Sequence, residues 1–443
     1  MNRISNDGSE GLSILREAMS CREHLAGFRR ERERNKDYAY GRQWNDVITV
    51  NGRSMTEHDY IISEGNIPLQ NNLIRRILRN VLGVFRSRLR ERMGNWDKER
   101  MRLVADNRLE ELFSRTMEEF LISGLAVHRH WKGVRNGVAG IWTDHVSPDS
   151  FFFGSSTRDT RGWDVELIGQ FHDSTPGEWC DSFVRTEEDY RRLCSRVRTR
   201  GREALRVAEV WRHERRPRRL VHDVGRGVLR LEEDSPRAVG EGCRSRWFLH
   251  DVWRFYFIDM EGRILRQGDS PFPSGHPYVF KAYPFLDGEV HSFVHDIIDQ
   301  QRYANRLITL YDWVMRASAK GVLLIPEGSV DADSLQDVAD QWSRFNGVIV
   351  YRPEPGMPDP RQVSANTANI GIGELLNIQL KMLEDVSGVN GALQGNVAGN
   401  SISGTLYNLQ TQNSLTSLSD LLETFFDFVE ESLRVSGELG AGA

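Results

Sequence analysis

Two long helical segments enclose a small strand–helix–strand unit in the last third of the chain, and this arrangement restricts the fold most. Residues 289–318 keep apolar side chains at the helical period, and such a helix would be about 45 Å long. After it, "GVLLIP", "ADSLQDVADQWSRF" and "GVIVYRP" predict strand, helix and strand, followed by a polar, proline-containing linker and the helix "IGELLNIQLKMLEDVSG". A lone subunit cannot cover both flanks of these helices or both strand edges. The pattern therefore favours an assembly in which neighbouring copies cover these flanks and edges.

The second long helix is followed by an uncharged loop, "SGVNGALQGNVAGNSISG", at residues 387–404. A loop of this length without secondary structure usually has a function or is disordered. Beyond it, residues 405–434 carry apolar side chains at helical spacing, which predicts another amphipathic helix. These side chains are Leu415, Leu418, Leu422, Phe425, Val429 and Leu433. The last residues, "SGELGAGA", are expected to be disordered.

The composition excludes several classes of protein. A length of 443 residues predicts two or three compact units. A net charge of −5 argues against a generally basic nucleic-acid-binding protein, although it leaves room for local basic patches. The four cysteines form no CxxC pair, which favours a reduced, cytosolic setting. Because the N-terminus lacks the apolar core of a signal peptide and no stretch approaches the ~18 apolar residues of a membrane span, we expect a soluble intracellular protein with no membrane partner.

The rest of the chain divides into helical and strand-rich regions. Residues 9–36 predict a charged amphipathic helix that docks on a neighbour rather than entering a core. Its thin apolar stripe consists of Leu12, Leu15, Met19 and Leu25. Two further helices are predicted, one after "GNIPLQNN" and one over residues 106–125. From about residue 126 to 280, segments such as "AVHRHWKGV", "GIWTDHVSP", "ALRVAEVWRHERR", "RRLVHDV" and "DVWRFYFIDMEGRILRQGD" alternate apolar and polar residues. The fold class is therefore α+β with antiparallel sheet.

Catalytic motifs are sparse. The sequence contains no GxxxxGK[ST], GxSxG or HExxH motif. Residues 273–276, "PSGH", resemble the phosphate-binding core of membrane-linked acid phosphatases, but a plain proline- and glycine-rich loop explains them better. His291 and His295, one turn apart with Asp296 and Asp299 nearby, form a possible metal-binding face, although such a flank is more often solvated or interfacial. A phosphatase-like or metal-dependent hydrolase built on these residues is the alternative function.

Two other polar patterns favour structural roles. His128 and His130 alternate along a predicted strand and therefore share a face; without a third ligand they are interpreted as surface or interface residues. The arginine-rich segment 212–219, "RHERRPRR", could contact nucleic acid. Acidic residues follow in "LEEDSP", so pairing between subunits or with solvent is favoured for these arginines.

The order of several motifs resembles that of tailed-bacteriophage portal proteins, particularly those of short-tailed phages. "YGRQWND", "GNIPLQNNLI" and "VLGVFRSRL" are similar to the opening of that family, and "HVSPDSFFFGSSTRDTRGWDVELIGQFHD" is similar to its aromatic-rich stretch. "DIIDQQRYANRLITLYDWV" resembles its stem helix, and "VSGVNGALQGN" followed by "SGTLYNLQTQNS" resembles the segment after its second stem helix. The resemblance covers about residues 38–434 and rests on the order and spacing of the motifs.

The resemblance implies a structural, non-enzymatic protein with no cofactor or metal. It would form a homo-oligomeric ring, usually of twelve subunits, at one vertex of the viral capsid. Terminase pumps double-stranded DNA through such a ring, which later holds a tail or adaptor protein and releases the DNA. The implied partners are therefore other copies of the chain, the major capsid protein, terminase, the adaptor protein and DNA. The implied location is the virion, with the host cytoplasm during assembly.

The resemblance also implies a division of the chain. The segments are an N-terminal amphipathic helical arm (1–35), a wing (36–288), a first stem helix (289–319), a clip (320–365), a second stem helix (366–386), a tunnel loop (387–404), a tunnel or wing helix (405–435) and a disordered tail (436–443). Portal proteins of this kind often carry a helical crown after the last helix, and here we expect the crown to be minimal or absent.

Two sets of residues are candidates for function. The stem helix is expected to contact neighbouring subunits through Val294, Ile297, Ile298, Leu307 and Tyr311. The tunnel loop is expected to meet DNA through Asn390, Gln394, Asn396, Asn400, Ser401 and Ser403. Arginine or lysine contacts to phosphate would slow sliding DNA, so an uncharged loop suits a channel. The alternative for this loop is a flexible connector at the edge of the wing.

Overall fold

The computed structural model describes most of the chain, in two units. The described residues are 7–135, 137–200, 205–223, 225, 227–232, 243–320, 322–325, 336–338, 340, 356, 361–363, 371–391, 393 and 404–441. The first unit comprises Met1–Tyr40, Leu73–Ile298 and Val386–Ala443, and the second comprises Gly41–Asn72 and Asp299–Asp385. The sequence predicts a continuous wing over 36–288, whereas the structure assigns its residues 41–72 to the second unit.

The helices lie mostly in the first and last thirds of the chain, and two short ones interrupt a strand-rich middle. They are α1 (Asp7–His24), α2 (Ala26–Tyr40), α3 (Glu57–Ser63), α4 (Leu73–Met93), α5 (Lys98–Asn107), α6 (Leu109–Ser123), α7 (Pro176–Phe183), α8 (Glu187–Arg200), α9 (Phe293–Lys320), α10 (Ile372–Ser387), α11 (Gly404–Ser417) and α12 (Ser419–Ala441). Local sequence explains several ends. Thr175 and Glu178 form a capping box at α7, and Gly124 ends α6 at a φ of +79°.

The strands pair antiparallel throughout the described residues. They are β1 (Val47–Val50), β2 (Arg53–Thr56), β3 (Leu125–Arg135), β4 (Val138–His145), β5 (Phe151–Phe153), β6 (Leu167–Asp173), β7 (Arg206–Asp223), β8 (Val228–Glu232), β9 (Cys243–Asp259), β10 (Ile264–Asp269), β11 (Tyr278–Ala282), β12 (Phe285–Leu286), β13 (Glu289–Val290), β14 (Val322–Leu324) and β15 (Arg361–Val363). The largest sheet has the order β10-β9-β7-β6-β5 with β8 beside β7, and a second sheet has the order β11-β3-β4. The predicted α+β class with antiparallel sheet is confirmed.

The first helix enters the core of the first unit, where it packs with the largest sheet. The N-terminal segment contributes five side chains to the core: Ile14, Leu15, Ala18, Cys21 and Leu25. Leu12 and Met19, which the sequence assigned to the apolar stripe, are 39% and 47% exposed. The expectation of an arm that docks on a neighbour is therefore wrong for α1, because its buried stripe is covered by its own subunit.

A helical layer of the first unit is held together by phenylalanine rings. Phe425 of α12 is fully buried, and its ring centroid lies 5.1 Å from that of Phe85 and 5.3 Å from that of Phe120. Phe428, one turn along α12, lies 5.4 Å from Phe425 and 4.7 Å from the ring of His128. These contacts join α4, α6, α12 and β3. Aromatic rings at such distances stabilise the packing by more than the burial of their apolar surface alone.

The interior between β3 and α12 also holds polar side chains. The ring of His128 lies 2.8 Å from the hydroxyl of Thr116 and 3.0 Å from that of Ser432. The ring of His130 lies 2.9 Å from the hydroxyl of Ser436. Both histidines have no exposed surface, so their interpretation as surface or interface residues is wrong. Ser432 and Ser436, one turn apart on α12, supply hydrogen-bond partners that offset the cost of burying two imidazoles.

The C-terminal helices differ from the sequence expectation in two ways. The predicted helix over 405–434 is two helices, α11 and α12, which meet at Leu418. The predicted disordered tail at 436–443 is wrong as far as Ala441, because α12 continues to that residue. Val435 and Ser436 are buried, and this packing holds a glycine-rich segment helical despite its weak intrinsic preference.

The predicted clip is described only in part. The predicted strand "GVLLIP" contains β14, which pairs with β15 through the register Val322↔Val363. The strand β15 lies in a segment that the sequence interpreted as a polar linker, so part of that linker is a strand. The predicted strand at 347–353 lies outside the described residues, as does most of the predicted helix at 332–345.

Replacing Phe425 with alanine should lower the free energy of unfolding by about 3–5 kcal/mol, because it leaves a cavity among three aromatic rings. The measurement is urea-induced unfolding followed by circular dichroism. The control is Leu409→Ala, since Leu409 is 51% exposed and its loss should cost less than ~0.5 kcal/mol. Equal losses for the two variants would contradict the packing described for α12.

The buried histidines should make stability depend on pH. Burial is the main cause that lowers the pKa of His130 to about 3; Asp144 opposes this shift and Arg129 adds to it. The unfolded imidazole has a pKa near 6.5, so below that pH the unfolded chain binds more protons than the folded chain. Stability should therefore be complete above about pH 6.5 and fall as the pH drops toward 4.

His130→Gln should flatten this dependence, because glutamine keeps hydrogen-bonding capacity but does not titrate. His24→Gln is the control, since His24 lies exposed on α1. The measurement is the urea midpoint of the three proteins across that pH range. The same slope in His130→Gln and in the unmodified chain would show that His130 contributes nothing to it.

Candidate assembly and DNA-channel site

The helix α9 is held in the second unit by buried amide side chains. Asn305 donates to the Gln43 side-chain oxygen at 2.7 Å and accepts from Gln301 at 3.0 Å. Gln43 donates in turn to Asn72 at 3.1 Å, and Gln301 donates to the backbone carbonyl of Asn71 at 2.7 Å. We call these five residues the amide cluster. Gln43, Gln301 and Asn305 are at most 1% exposed, so these bonds replace the water that the amides would otherwise need.

A buried carboxylate forms a second contact with α9, next to the amide cluster. Glu57, at the start of α3, is 3% exposed. Arg302 donates to it from two nitrogens, at 2.8 and 3.2 Å, and Arg306 also pairs with it. Two guanidinium groups thus neutralise one buried charge, an arrangement that is costly to break because removal of one partner leaves a charge with less compensation. Farther along α9, the hydroxyl of Thr309 accepts from the backbone N–H of Leu69 at 3.1 Å.

These contacts explain two of the motifs that carry the portal resemblance. The glutamine of "YGRQWND" is Gln43, and the last two asparagines of "GNIPLQNN" are Asn71 and Asn72. Both motifs lie against the "DQQRYANRLIT" part of α9 through the amide cluster. The signal in the sequence is the presence of amides in three separate segments, because buried amides need hydrogen-bond partners. It did not show that the three segments meet.

The far end of α9 has the opposite character. Beyond Thr309, the large side chains of Leu310, Tyr311, Trp313 and Met315 are between 44% and 53% exposed. Exposed apolar clusters of this size on a folded chain mark surfaces that a partner covers. We call these four residues the α9 apolar end.

A second exposed apolar surface lies on α10. Leu375, Ile378 and Met382 are 44%, 51% and 50% exposed, and they recur at intervals of three and four residues. That spacing places them on one face of the helix. A different face of the helix contributes the buried Ile372 and Leu383. We call the exposed row the α10 stripe.

The structure revises the predicted stem contacts. Val294, Ile297, Ile298 and Leu307 are at most 4% exposed within a single subunit. Their apolar surface is already covered by their own chain, so it is not available to a neighbour. Tyr311 is 47% exposed and belongs to the α9 apolar end. Sequence periodicity identified apolar positions but could not separate those facing the subunit interior from those facing outward.

Only the beginning of the predicted tunnel loop lies within the described residues. Asn390 donates to the backbone carbonyl of Gln410 at 3.0 Å and accepts from the backbone N–H of Leu393 at 3.1 Å. The hydroxyl of Ser417 donates to the carbonyl of Gly388 at 3.2 Å. The start of the loop is therefore attached to α11. The other candidates, Gln394, Asn396, Asn400, Ser401 and Ser403, lie outside the described residues.

The "PSGH" segment forms a turn packed against an aromatic side chain. Gly275 has a φ of +90°, and a β-carbon there would lie 2.3 Å from the ring of Trp253. The His276 ring lies 5.0 Å from the Trp253 ring, and burial lowers the pKa of His276 to about 4. These features describe a close-packed turn and give no support to a phosphate-binding site.

The histidine pair at the start of α9 does not form a metal site with neighbouring ligands among the described residues. His295 lies 3.0 Å from the carboxylate of Glu31. The backbone carbonyl of His291 packs so closely against Gly124 that a β-carbon there would clash with it. Among the residues that the structure describes, no group of three or more histidines, cysteines or carboxylates could hold a metal ion. Within the same residues, no helix is both long and apolar enough to cross a membrane.

Comparison with known proteins agrees with the motif resemblance. The model of the phage P22-like portal protein family matches residues 102–439, about three quarters of the 443-residue chain. A search of curated proteins finds no match. The family match confirms the portal resemblance and gives no support to a hydrolase. Portal proteins are structural proteins of the phage virion that serve DNA packaging and connect head to tail. This chain belongs to the family of phage P22-like portal proteins.

Proposed function

We propose that this portal protein assembles into a closed ring, with twelve subunits as the resemblance implies, by packing the α10 stripe of one subunit against the α9 apolar end of the next. The observation that carries the proposal is the reversed character of α9. Its contacts in the second unit include the buried amide cluster and the pairing with Glu57, whereas the large side chains at its far end are apolar and exposed.

The two apolar surfaces suit a ring because they differ from each other. A contact between unlike surfaces repeats head to tail and closes when the rotation between copies divides a full turn. Burying a large apolar side chain contributes roughly 1.5–3 kcal/mol, and each subunit offers seven such side chains across the two surfaces. The same contact recurs at every interface of the ring, so a modest gain per residue is sufficient for a stable assembly.

The tunnel loop at 387–404 is proposed to line the channel. Support comes from the absence of charged side chains across these residues and from the attachment of the loop start to α11 through Asn390. An uncharged loop lets DNA slide because the strongest contacts to DNA are those of lysine and arginine with phosphate. A connector at the edge of the wing is the competing role for the same loop.

The remaining partners follow from the portal role. The clip, 320–365, is proposed as the docking site for terminase and for the adaptor protein, and the wing as the contact with the major capsid protein. Assembly is proposed to take place in the host cytoplasm before the ring enters the capsid vertex.

The ring contact is tested by placing a charge in the α10 stripe. Ile378→Asp should abolish or strongly weaken assembly, because a buried carboxylate without a partner costs several kcal/mol. Asn377→Asp is the matched control, since it puts the same group at the adjacent exposed position of the same helix. Light scattering of the purified chains gives the particle mass. Rings of unchanged mass in Ile378→Asp would show that the α10 stripe is not the contact.

The channel role is tested by adding positive charge to the loop. Asn396→Arg with Asn400→Arg should leave ring assembly intact, because side chains that face an open channel, as proposed, tolerate polar change. DNA packaging should slow, and most at low salt, where phosphate attraction is least screened.

The control for the loop variant is Asn95→Arg with Ser182→Arg, which adds the same charge at exposed positions elsewhere. Packaging rates are measured against ionic strength for the three proteins. If the loop variant and the control respond to salt alike, the loop does not meet DNA and the connector role is preferred.

A further inference from the structure

A long two-stranded ribbon extends beyond the largest sheet of the first unit. The strands β7 and β9 stay paired from Val207↔Asp259 to Asp223↔Cys243. Their outer neighbours end earlier, since β6 pairs with β7 only as far as Arg212 and β10 pairs with β9 only as far as Arg254. We call residues 213–223 and 243–253 the distal ribbon. At about 3.3 Å per residue it is roughly 36 Å long. Among the described strands, only the short β8 pairs with its outer part.

The distal ribbon exposes large apolar side chains on both faces. Trp247 and Leu249 are 56% and 67% exposed and share one face with Arg219 and Pro217, their partners in the register. Phe248, 37% exposed, lies on the other face. An isolated ribbon of two strands is marginally stable in water. One that also exposes tryptophan, phenylalanine and leucine is expected to be covered in the assembled protein.

The charge of the ribbon is opposite to that of the rest of the chain. Residues 213–223 and 243–253 contain six arginines and three carboxylates, a net charge of +3, whereas the whole chain carries −5. The remainder of each subunit therefore carries −8. Arg215 pairs with Asp251 and Arg216 with Glu214. Arg244 and Arg246 are exposed and form no ion pair with a carboxylate among the described residues.

We propose that the distal ribbon docks on an acidic surface of a neighbouring copy of this chain. Tryptophan, phenylalanine and arginine together are the residues that dominate protein interfaces. Duplex DNA would use the arginines but would leave Trp247, Phe248 and Leu249 in water. A second copy offers both the complementary charge and surface to cover the apolar side chains. The inference rests on the proposed ring, which holds the neighbour at a fixed position.

The test places a photo-crosslinking residue on the ribbon of the full-length chain. Trp247 is replaced by p-benzoylphenylalanine, which keeps a large aromatic group, and the assembled protein is irradiated and run on a denaturing gel. Covalent dimers and higher multimers of the subunit are expected. Light scattering of the same samples reports separately whether rings have formed.

The charge contribution is measured in the same background. Arg244→Glu with Arg246→Glu should lower the yield of crosslinked subunits about tenfold, because two attractive contacts become repulsive. The matched control is Arg191→Glu with Arg192→Glu, an equal charge change at exposed positions of α8, where each arginine pairs with a glutamate one turn earlier. The control should change the yield less than about twofold.

Each outcome decides the proposal. Rings that give no crosslink between subunits from position 247 would overturn it, and so would equal yields from the two charge variants. With a short DNA duplex added, a protein–DNA adduct that replaces the subunit product would identify the ribbon as a DNA-binding surface instead. If light scattering shows monomers, the ring proposal fails. A crosslinked dimer at high protein concentration would then still support docking by the ribbon, and its absence would overturn that as well.

Discussion

The amide cluster around Asn305 is the constraint on which the second unit depends. It fixes two segments of the early chain, at Gln43 and at Asn71–Asn72, to a helix that begins more than 200 residues later. Amide side chains that lose water must find partners, and each satisfied partner fixes the position of another. The pairing of Glu57 with Arg302 and Arg306 acts in the same direction. Together these contacts decide which side of α9 is covered by its own subunit.

The exposed surfaces follow from that choice. Because the polar side of α9 makes its contacts within the subunit, Leu310, Tyr311, Trp313 and Met315 are exposed to solvent. The α10 stripe is exposed as well. A folded chain that leaves these side chains in water has lower solubility and stability than an assembled one. The portal family match implies a ring oligomer, and a ring supplies every subunit with a neighbour on each side.

The interior of the first unit is closely packed. Its sheets and helices are joined by the phenylalanine layer around Phe425 and by the contacts of His128 and His130 with α12. Close-packed aromatic interiors deform little, which suits a protein that must hold its shape while DNA passes. The distal ribbon is the exception, since it leaves the sheet and carries its positive charge away from the core. Its sequence was recognisable as arginine-rich, but its length as a single ribbon was not, because "ALRVAEVWRHERR" and "RRLVHDV" read as separate strands and form one.

The sequence by itself determined the fold class, the longer helices, some of the strands and the portal resemblance that the family match confirms. These depend on local periodicity and on the order of motifs, both of which are present in one dimension. Only the tertiary structure decided which apolar positions face inward. It buried Ile297 and Ile298 within the subunit, drew α1 into the core and kept α12 helical to Ala441. It also buried His128 against Ser432, which is 304 positions away. Periodicity shows that a face is apolar or polar, but what covers that face is decided by residues distant in sequence.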